Sequence, residues 1–248
     1  ATLRLELGSA LTPGITYDQL AMTGSVVPST PTGWWVDESI QTVRLPTLRR
    51  GRHTLVLTLP YTRHSGLEWC YLLGDFGVAL AGRHARIIPP VRQLVFGDWV
   101  SQGLPFYTGN VTYHASLVGN GRRLALQFHW PRGLHVQLVD LIEQLWANAL
   151  PQTRVPLVGV QLDGKPVGHV AFAPFRIDLG RVTKGRHQLD LTCYGHRYNA
   201  FGAVHNLNHE HLWAEAAPDA WRTTGRDWSY EYQLRPMGLL TAPVILAH

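Results

Sequence analysis

Alternation of apolar and polar residues runs through the chain with a period of two. Val111, Tyr113, Ala115 and Leu117 lie on one face of an extended segment. Leu124, Leu126, Phe128 and Trp130 do the same, which places Trp130 in a core. A strand projects successive side chains to opposite faces, so each run predicts a strand with one buried face. Leu157 to Leu162 runs into Asp163-Gly164 and then Lys165-Pro166-Val167. Asp-Gly favours the positive φ of a tight turn, so this stretch predicts a hairpin. A weaker version sits around Thr23-Gly24. The one helical pattern covers about 138–149, where Leu138, Leu141, Ile142, Leu145 and Ala149 recur at helical spacing.

The pattern also repeats on a larger scale. Gly51-Arg52-His53 returns as Gly185-Arg186-His187. At the same offset Val43 matches Ile177, Leu45 matches Leu179 and Leu48 matches Val182. Leu55, Leu57 and Leu59 match Leu189, Leu191 and Cys193. Internal self-similarity of this kind signals two copies of one unit. In each copy a polar turn with Gly precedes a strand whose other face carries polar residues, Thr54 and Thr58 in one, Gln188 and Asp190 in the other.

The expected architecture is all-β: two packed antiparallel jelly-roll β-sandwiches with one short helix. Residues 1–90 form the first lobe and 91–248 the second, with a Pro- and Gly-rich linker at about 85–105. The first lobe is shorter by a strand or two. Either the chain is cut from a longer protein, or Pro243 to Leu246 returns to complete that lobe.

Composition narrows the classes. Apolar residues make up 45% of the 248 residues and charged residues 16%, which suits a packed core and not a disordered chain. Gly (24) and Pro (16) fit many short strands and turns. The net charge is +5, yet the arginines are scattered, densest at Arg49, Arg50 and Arg52 and next at Arg122 and Arg123. Without a long basic stripe or a recognised module, no nucleic-acid partner is expected. Cys70 and Cys193 are the only cysteines, too few for a disulfide framework. Spacing does not decide whether they bridge; Cys193, in its alternating strand, reads as a buried free thiol. No run approaches 18 apolar residues, so no membrane span is expected. No signal peptide is visible, as in a mature or excised chain.

Several stretches resemble a known family. Gly109-Asn110-Val111-Thr112-Tyr113, Val158 to Gly164, Phe175 to Leu179 leading into Lys184-Gly185, and Tyr198 to His205 resemble the sugar-binding jelly-roll domain of family 2 glycoside hydrolases. Tyr71 to Val78, Gln102 to Tyr107, Arg226 to Leu234 and Pro236 to Leu239 resemble the β-sandwich tail of large bacterial glycosidases, some related to rhamnosidases. The resemblance implies a galactose-binding-like sandwich from a bacterial protein of extracellular or periplasmic location. In such enzymes the catalytic carboxylates stand on a separate barrel, for which this chain has no room.

Sugar recognition needs flat aromatic faces and planar hydrogen-bonding groups. The chain has nine tryptophans. Trp34 and Trp35 are adjacent, so a strand would turn one inward and one outward. Residues 196–232 are richest in both ingredients and show little alternation, which reads as long loops. Asn199, His205, His209, Trp213 and Trp221 are the candidate carbohydrate site. The competing reading is that such side chains fix the loops and the lobe interface.

Other chemistry is weaker. His205, His209 and His211 beside Glu210 could ligate zinc, but they lack the His-Glu-x-x-His spacing. By resemblance a structural calcium is the commoner ion, with Asp37, Glu38, Asp75 and Asp98 as conceivable ligands. No cofactor is required. Glu68 with Asp75 and Glu210 with Glu215 are the carboxylate pairs open to a glycosidase mechanism. No Gly-x-Ser-x-Gly elbow or phosphate loop is present. Three functions follow: a non-catalytic carbohydrate-binding module partnered with a glycosidase catalytic domain, a structural ancillary domain that binds no free sugar, or a stand-alone glycoside hydrolase or lyase.

Overall fold

The period-two runs are strands. The computed structural model describes residues 2–7, 16–22, 32–45, 53–58, 70–129, 157–202, 204–207 and 228–247. The chain divides into two compact units, Ala1–Leu80 with Ala85–Arg92, and Ala81–His84 with Gln93–His248. Nearly all regular structure among the described residues is strand. The one described helix is a single turn, α1 (Tyr198–Phe201).

The first unit holds β1 (Thr2–Leu7), β2 (Thr16–Met22), β3 (Gly33–Trp35), β4 (Asp37–Arg44), β5 (His53–Thr58) and β6 (Cys70–Asp75). β1 pairs with β5, and a second sheet runs β3-β4-β2-β6. β7 (Gly77–Ala81) and β8 (His84–Ile88) form a separate two-stranded hairpin. The second unit holds β9 (Val111–Gly119), β10 (Arg123–Gln127), β11 (Val158–Leu162), β12 (Lys165–Val170), β13 (Arg176–Arg181), β14 (Gly185–Cys193) and β15 (Val244–Ala247). Its sheets are β12-β11-β14-β9 and β13-β10-β15.

The repeat is visible in the strand registers. Leu7 opposes His53, Leu5 opposes Leu55 and Leu3 opposes Leu57. In the second unit Leu117 opposes His187, Ala115 opposes Leu189 and Tyr113 opposes Leu191. Leu20 stands between Val43 and Leu72, as Leu126 stands between Ile177 and Ile245. β6 and β15 therefore hold equivalent places. This corrects one expectation: the C-terminal strand completes the second unit, not the first. The free edge of β2 is already taken by β6, so the first unit has no place there for a returning strand.

Both sheets of the second unit contribute to one core. Tyr113, Leu117, Val158, Val160, Leu189, Leu191 and Cys193 come from one sheet, and Leu124, Leu126 and Leu179 from the other. Fully burying each large apolar side chain is worth roughly 1.5–3 kcal/mol. Ala125, on the opposite face of β10, is also buried. Burial pushes the free thiol of Cys193 up to about 12, so it stays a protonated, unreactive core group.

The expected linker at 85–105 is a second correction. It opens in strand β8, and Trp99 is fully buried in the core beside Met237 and Leu239. The Gly97 amide donates to the Leu239 carbonyl (2.7 Å) and the Trp99 amide to the Met237 carbonyl (2.9 Å). Gly238 allows that approach: its φ is +110°, and a Cβ there would sit 2.9 Å from the Gly97 oxygen. Pro and Gly in this stretch serve a close backbone crossing, not a spacer. The helical candidate at 138–149, Trp130 and the Thr23-Gly24 turn lie outside the described residues.

The Asp163-Gly164 hairpin forms as expected, with φ of +50° and +73° at its two central residues. Its aspartate also ties the turn to β14. Oδ1 accepts the Gln188 amide (2.9 Å), and Oδ2 accepts Nδ1 of His187 (2.7 Å). The hydrogen bond to Asp163 raises the His187 pKa above the ordinary 6.5, and the same bond lowers that of Asp163.

Two predictions follow from this packing. Leu191→Ala should cost about 2–5 kcal/mol in urea unfolding, since the side chain is fully buried. The His187–Asp163 pair should make stability depend on pH. The histidine's contribution is complete below about pH 6.5 and fades as pH rises through its raised value. The aspartate's contribution is present above its ordinary range and fades as pH falls through the lowered value. The stability gap between wild type and His187→Gln, measured by denaturant titration from about pH 5 to 9, should therefore narrow on the alkaline side. A constant gap would mean that the pair carries no charge coupling.

Candidate functional site: a ring cluster on a laced loop

Residues 194–243 join β14 to β15, where the first unit connects β5 to β6 with residues 59–69. The two arms of this long excursion are hydrogen-bonded to each other. The Ser229 amide donates to the His205 carbonyl (2.8 Å) and the Gln233 amide to the Val204 carbonyl (2.6 Å). Asn206 and Trp228 form an antiparallel bridge.

Asn199 anchors the base of the arms. Its Nδ2 donates to the Arg235 carbonyl (2.9 Å), and its Oδ1 accepts the Arg235 amide (2.9 Å). The side-chain amide thus imitates a strand partner for one residue. The residue is 1% exposed, so it presents nothing to a ligand. The Arg235 guanidinium lies over the Tyr198 ring, 3.5 Å from its centroid, and adds a cation–π contact at the same place.

His205 sits further along. Its Nδ1 is 2.9 Å from the Ser229 carbonyl, which can only accept, so the ring donates from Nδ1. It lies between Trp228 (4.7 Å) and Tyr232 (4.6 Å). Phe106 meets Tyr232 edge-on at 5.1 Å, and Tyr230 meets Trp228 edge-on at 6.2 Å. The rings lock one another, and Tyr230 stands at the outside, 65% exposed. Burial raises the Tyr232 hydroxyl pKa, consistent with its inner place. Gln233 Nε2 donates to the Ser229 hydroxyl (3.3 Å) and the Glu231 carbonyl (3.1 Å), which shapes the turn that carries Tyr230.

Of the candidate residues, the structure brings Asn199 and His205 onto the laced arms in different roles: one fastens, the other joins the rings. His209, Trp213 and Trp221 lie outside the described residues. Phe106 and Tyr232 lie in runs that carry the family resemblance but are not among the candidate site residues. No periodicity marks the pairing of Phe106 with Tyr232, more than a hundred residues away in sequence. Elsewhere, Trp34 is 58% exposed while Trp35 is half-buried against Tyr71 (5.2 Å), as alternation anticipated.

Two of the metal and carboxylate candidates are engaged by other groups, while Glu38 is exposed. Asp98 Oδ1 accepts the Val100 and Met237 amides (3.0 Å each), and Asp75 pairs with Arg92 (2.9 Å). Among the described residues no three His, Cys, Asp or Glu side chains gather as a metal site. Glu68, Glu210, His211 and Glu215 lie outside the described residues.

No family model and no curated protein matches the chain. Among solved structures it is similar to a GH2 beta-galacturonidase from Eisenbergiella tayi bound to glycerol, at 23% identity and a TM-score of 0.26, over 54% of this chain and 19% of that one. It is similar also to a rhamnosidase from Novosphingobium sp. PP1Y, at 18% identity and a TM-score of 0.34, over 94% of this chain and 21% of that one. The chain thus spans about a fifth of each of those proteins. At this level of similarity neither transfers a substrate or a catalytic residue.

The role of Asn199 is directly testable. Asn199→Ala leaves the backbone N–H and C=O of Arg235 without their side-chain partner and should destabilise the protein by about 1–3 kcal/mol in thermal unfolding. Tyr230→Ala, at an exposed ring, should leave the melting temperature nearly unchanged.

Proposed function

We propose that the chain is a non-catalytic carbohydrate-binding module that works beside a glycosidase catalytic domain, outside the bacterial cytoplasm. The observation that carries this reading is the ring cluster of His205, Trp228, Tyr232 and Phe106 with Tyr230 exposed at its edge. A pyranose offers C–H faces to aromatic rings and hydroxyls to neighbouring polar groups. Rings already held by one another lose little conformational freedom when a sugar stacks on them. His209, Trp213 and Trp221, which lie between the laced arms in sequence, belong to the same proposed site. Ring stacking and hydrogen bonds need no cofactor. The ligand is a polysaccharide or oligosaccharide, and catalysis belongs to the partner domain.

Affinity electrophoresis against a panel of polysaccharides tests this. The wild-type chain should be retarded on at least one glycan. Tyr230→Ala and Trp213→Ala should each weaken binding about tenfold, equivalent to ~1.4 kcal/mol. A folded protein retarded on no glycan would overturn the reading in favour of a structural ancillary domain.

A further inference from the structure

The outward face of the β12-β11-β14-β9 sheet carries a second constellation, distinct from the ring cluster. With Leu189, Leu191 and Cys193 turned inward, Arg186, Gln188 and Asp190 of β14 face outward. Across the ladder they oppose Val118, Ser116 and His114 of β9. A depression of about 400 Å³ opens there, lined by His114, Ala115, Ser116, Arg186, His187 and Gln188. The depression is shallow and open to solvent.

The polar groups are held in place. Asp190, whose side chain is 13% exposed, accepts Nδ1 of His114 at 2.7 Å. Both its oxygens also lie 3.0 Å from Nε2 of Gln188. With those atoms engaged, His114 has Nε2 and Gln188 has Oε1 left for a ligand. The two nearby carboxylates, Asp163 and Asp190, are both occupied by internal hydrogen bonds. Arg186 is exposed and has no ion-pair partner among the described residues, so its guanidinium is open to a ligand.

The repeat supplies an internal comparison. At the same register the first unit sets Arg4 against Val56 and Glu6 against Thr54, where the second sets His114 against Asp190 and Ser116 against Gln188. The alternate positions stay apolar in both copies. Folding this ladder therefore requires those apolar positions but not the outward quartet. Arg186 has a counterpart in Arg52, so the cation is common to both copies. His114, Ser116, Gln188 and Asp190 are particular to the second.

We propose that this depression is a separate site for a carboxylate-bearing sugar of the uronate class. Arg186 meets the carboxylate. Ser116, Gln188 Oε1 and His114 Nε2 meet hydroxyls. Its lining holds no Trp, Tyr or Phe ring, so recognition rests on charge and hydrogen bonds. The proposal does not depend on the ring cluster.

The test is a ¹H–¹⁵N NMR titration of the full chain with glucuronate, glucose and acetate, in wild type, Arg186→Gln and Tyr230→Ala. Glucuronate should shift Ser116, Arg186 and the Gln188 side-chain amide, with glucose at least tenfold weaker. Acetate should not match glucuronate. Arg186→Gln should weaken glucuronate at least tenfold, and Tyr230→Ala should leave it unchanged. Loss in Tyr230→Ala with retention in Arg186→Gln would move the ligand to the ring cluster and overturn the site. Equal binding of acetate would reduce it to a simple anion contact and overturn the sugar class. No shifts at these residues with any ligand would overturn both.

Discussion

The nine-residue ladder between β9 and β14 is the constraint on which the second unit depends. Its register sets Leu117 against His187 and Tyr113 against Leu191, and so sends every second side chain into the core. A slip of β14 by one residue would bury Asp190 and expose Leu191. The same division produces two working surfaces. Inward residues join Leu124, Leu126 and Leu179 across the sandwich, while outward residues are free to carry polar chemistry. The Asp163 turn braces this ladder from the β11–β12 side, through one backbone amide and one imidazole.

Against that frame, the two copies differ mainly between strands. Equivalent registers recur in β1–β5 and β9–β14, and again around Leu20 and Leu126. The connection from β14 to β15 is much longer than its counterpart, and the ring cluster is built there. Long loops are tolerated because closure entropy grows slowly with length. They hold a defined shape only when their backbone groups find partners. Asn199, the Ser229 and Gln233 amides and the Asp98 carboxylate provide those partners here.

The two proposed surfaces use different physics. The ring cluster offers apolar faces fixed by mutual contact. The sheet depression offers fixed hydrogen-bonding groups and one exposed guanidinium. A module carrying both would read a glycan through its C–H faces at one place and its acidic groups at another.

The sequence alone determined what is local and periodic. The strands of β9, β10 and β14, the Asp163-Gly164 hairpin, the burial of Cys193 and the doubling of the unit all follow from spacing along a few residues or from a constant offset. Alternation also anticipated that Trp34 and Trp35 would differ in exposure. Tertiary structure decided the rest. Residues 85–105 have the composition of a linker, yet Trp99 is core because Met237 and Leu239 close over it. The C-terminal strand could have joined either copy, since both offer a similar edge; occupation of the β2 edge by β6 settles the choice. Asn199 carries the side chain of a sugar-binding residue, and only the placement of the Arg235 peptide makes it a fastener. Phe106 joins Tyr232, and Tyr113 reaches the Leu239 amide, across separations of over a hundred residues. Such contacts leave no periodic trace, because the free energy that selects them comes from closing the fold and not from neighbouring residues in the chain.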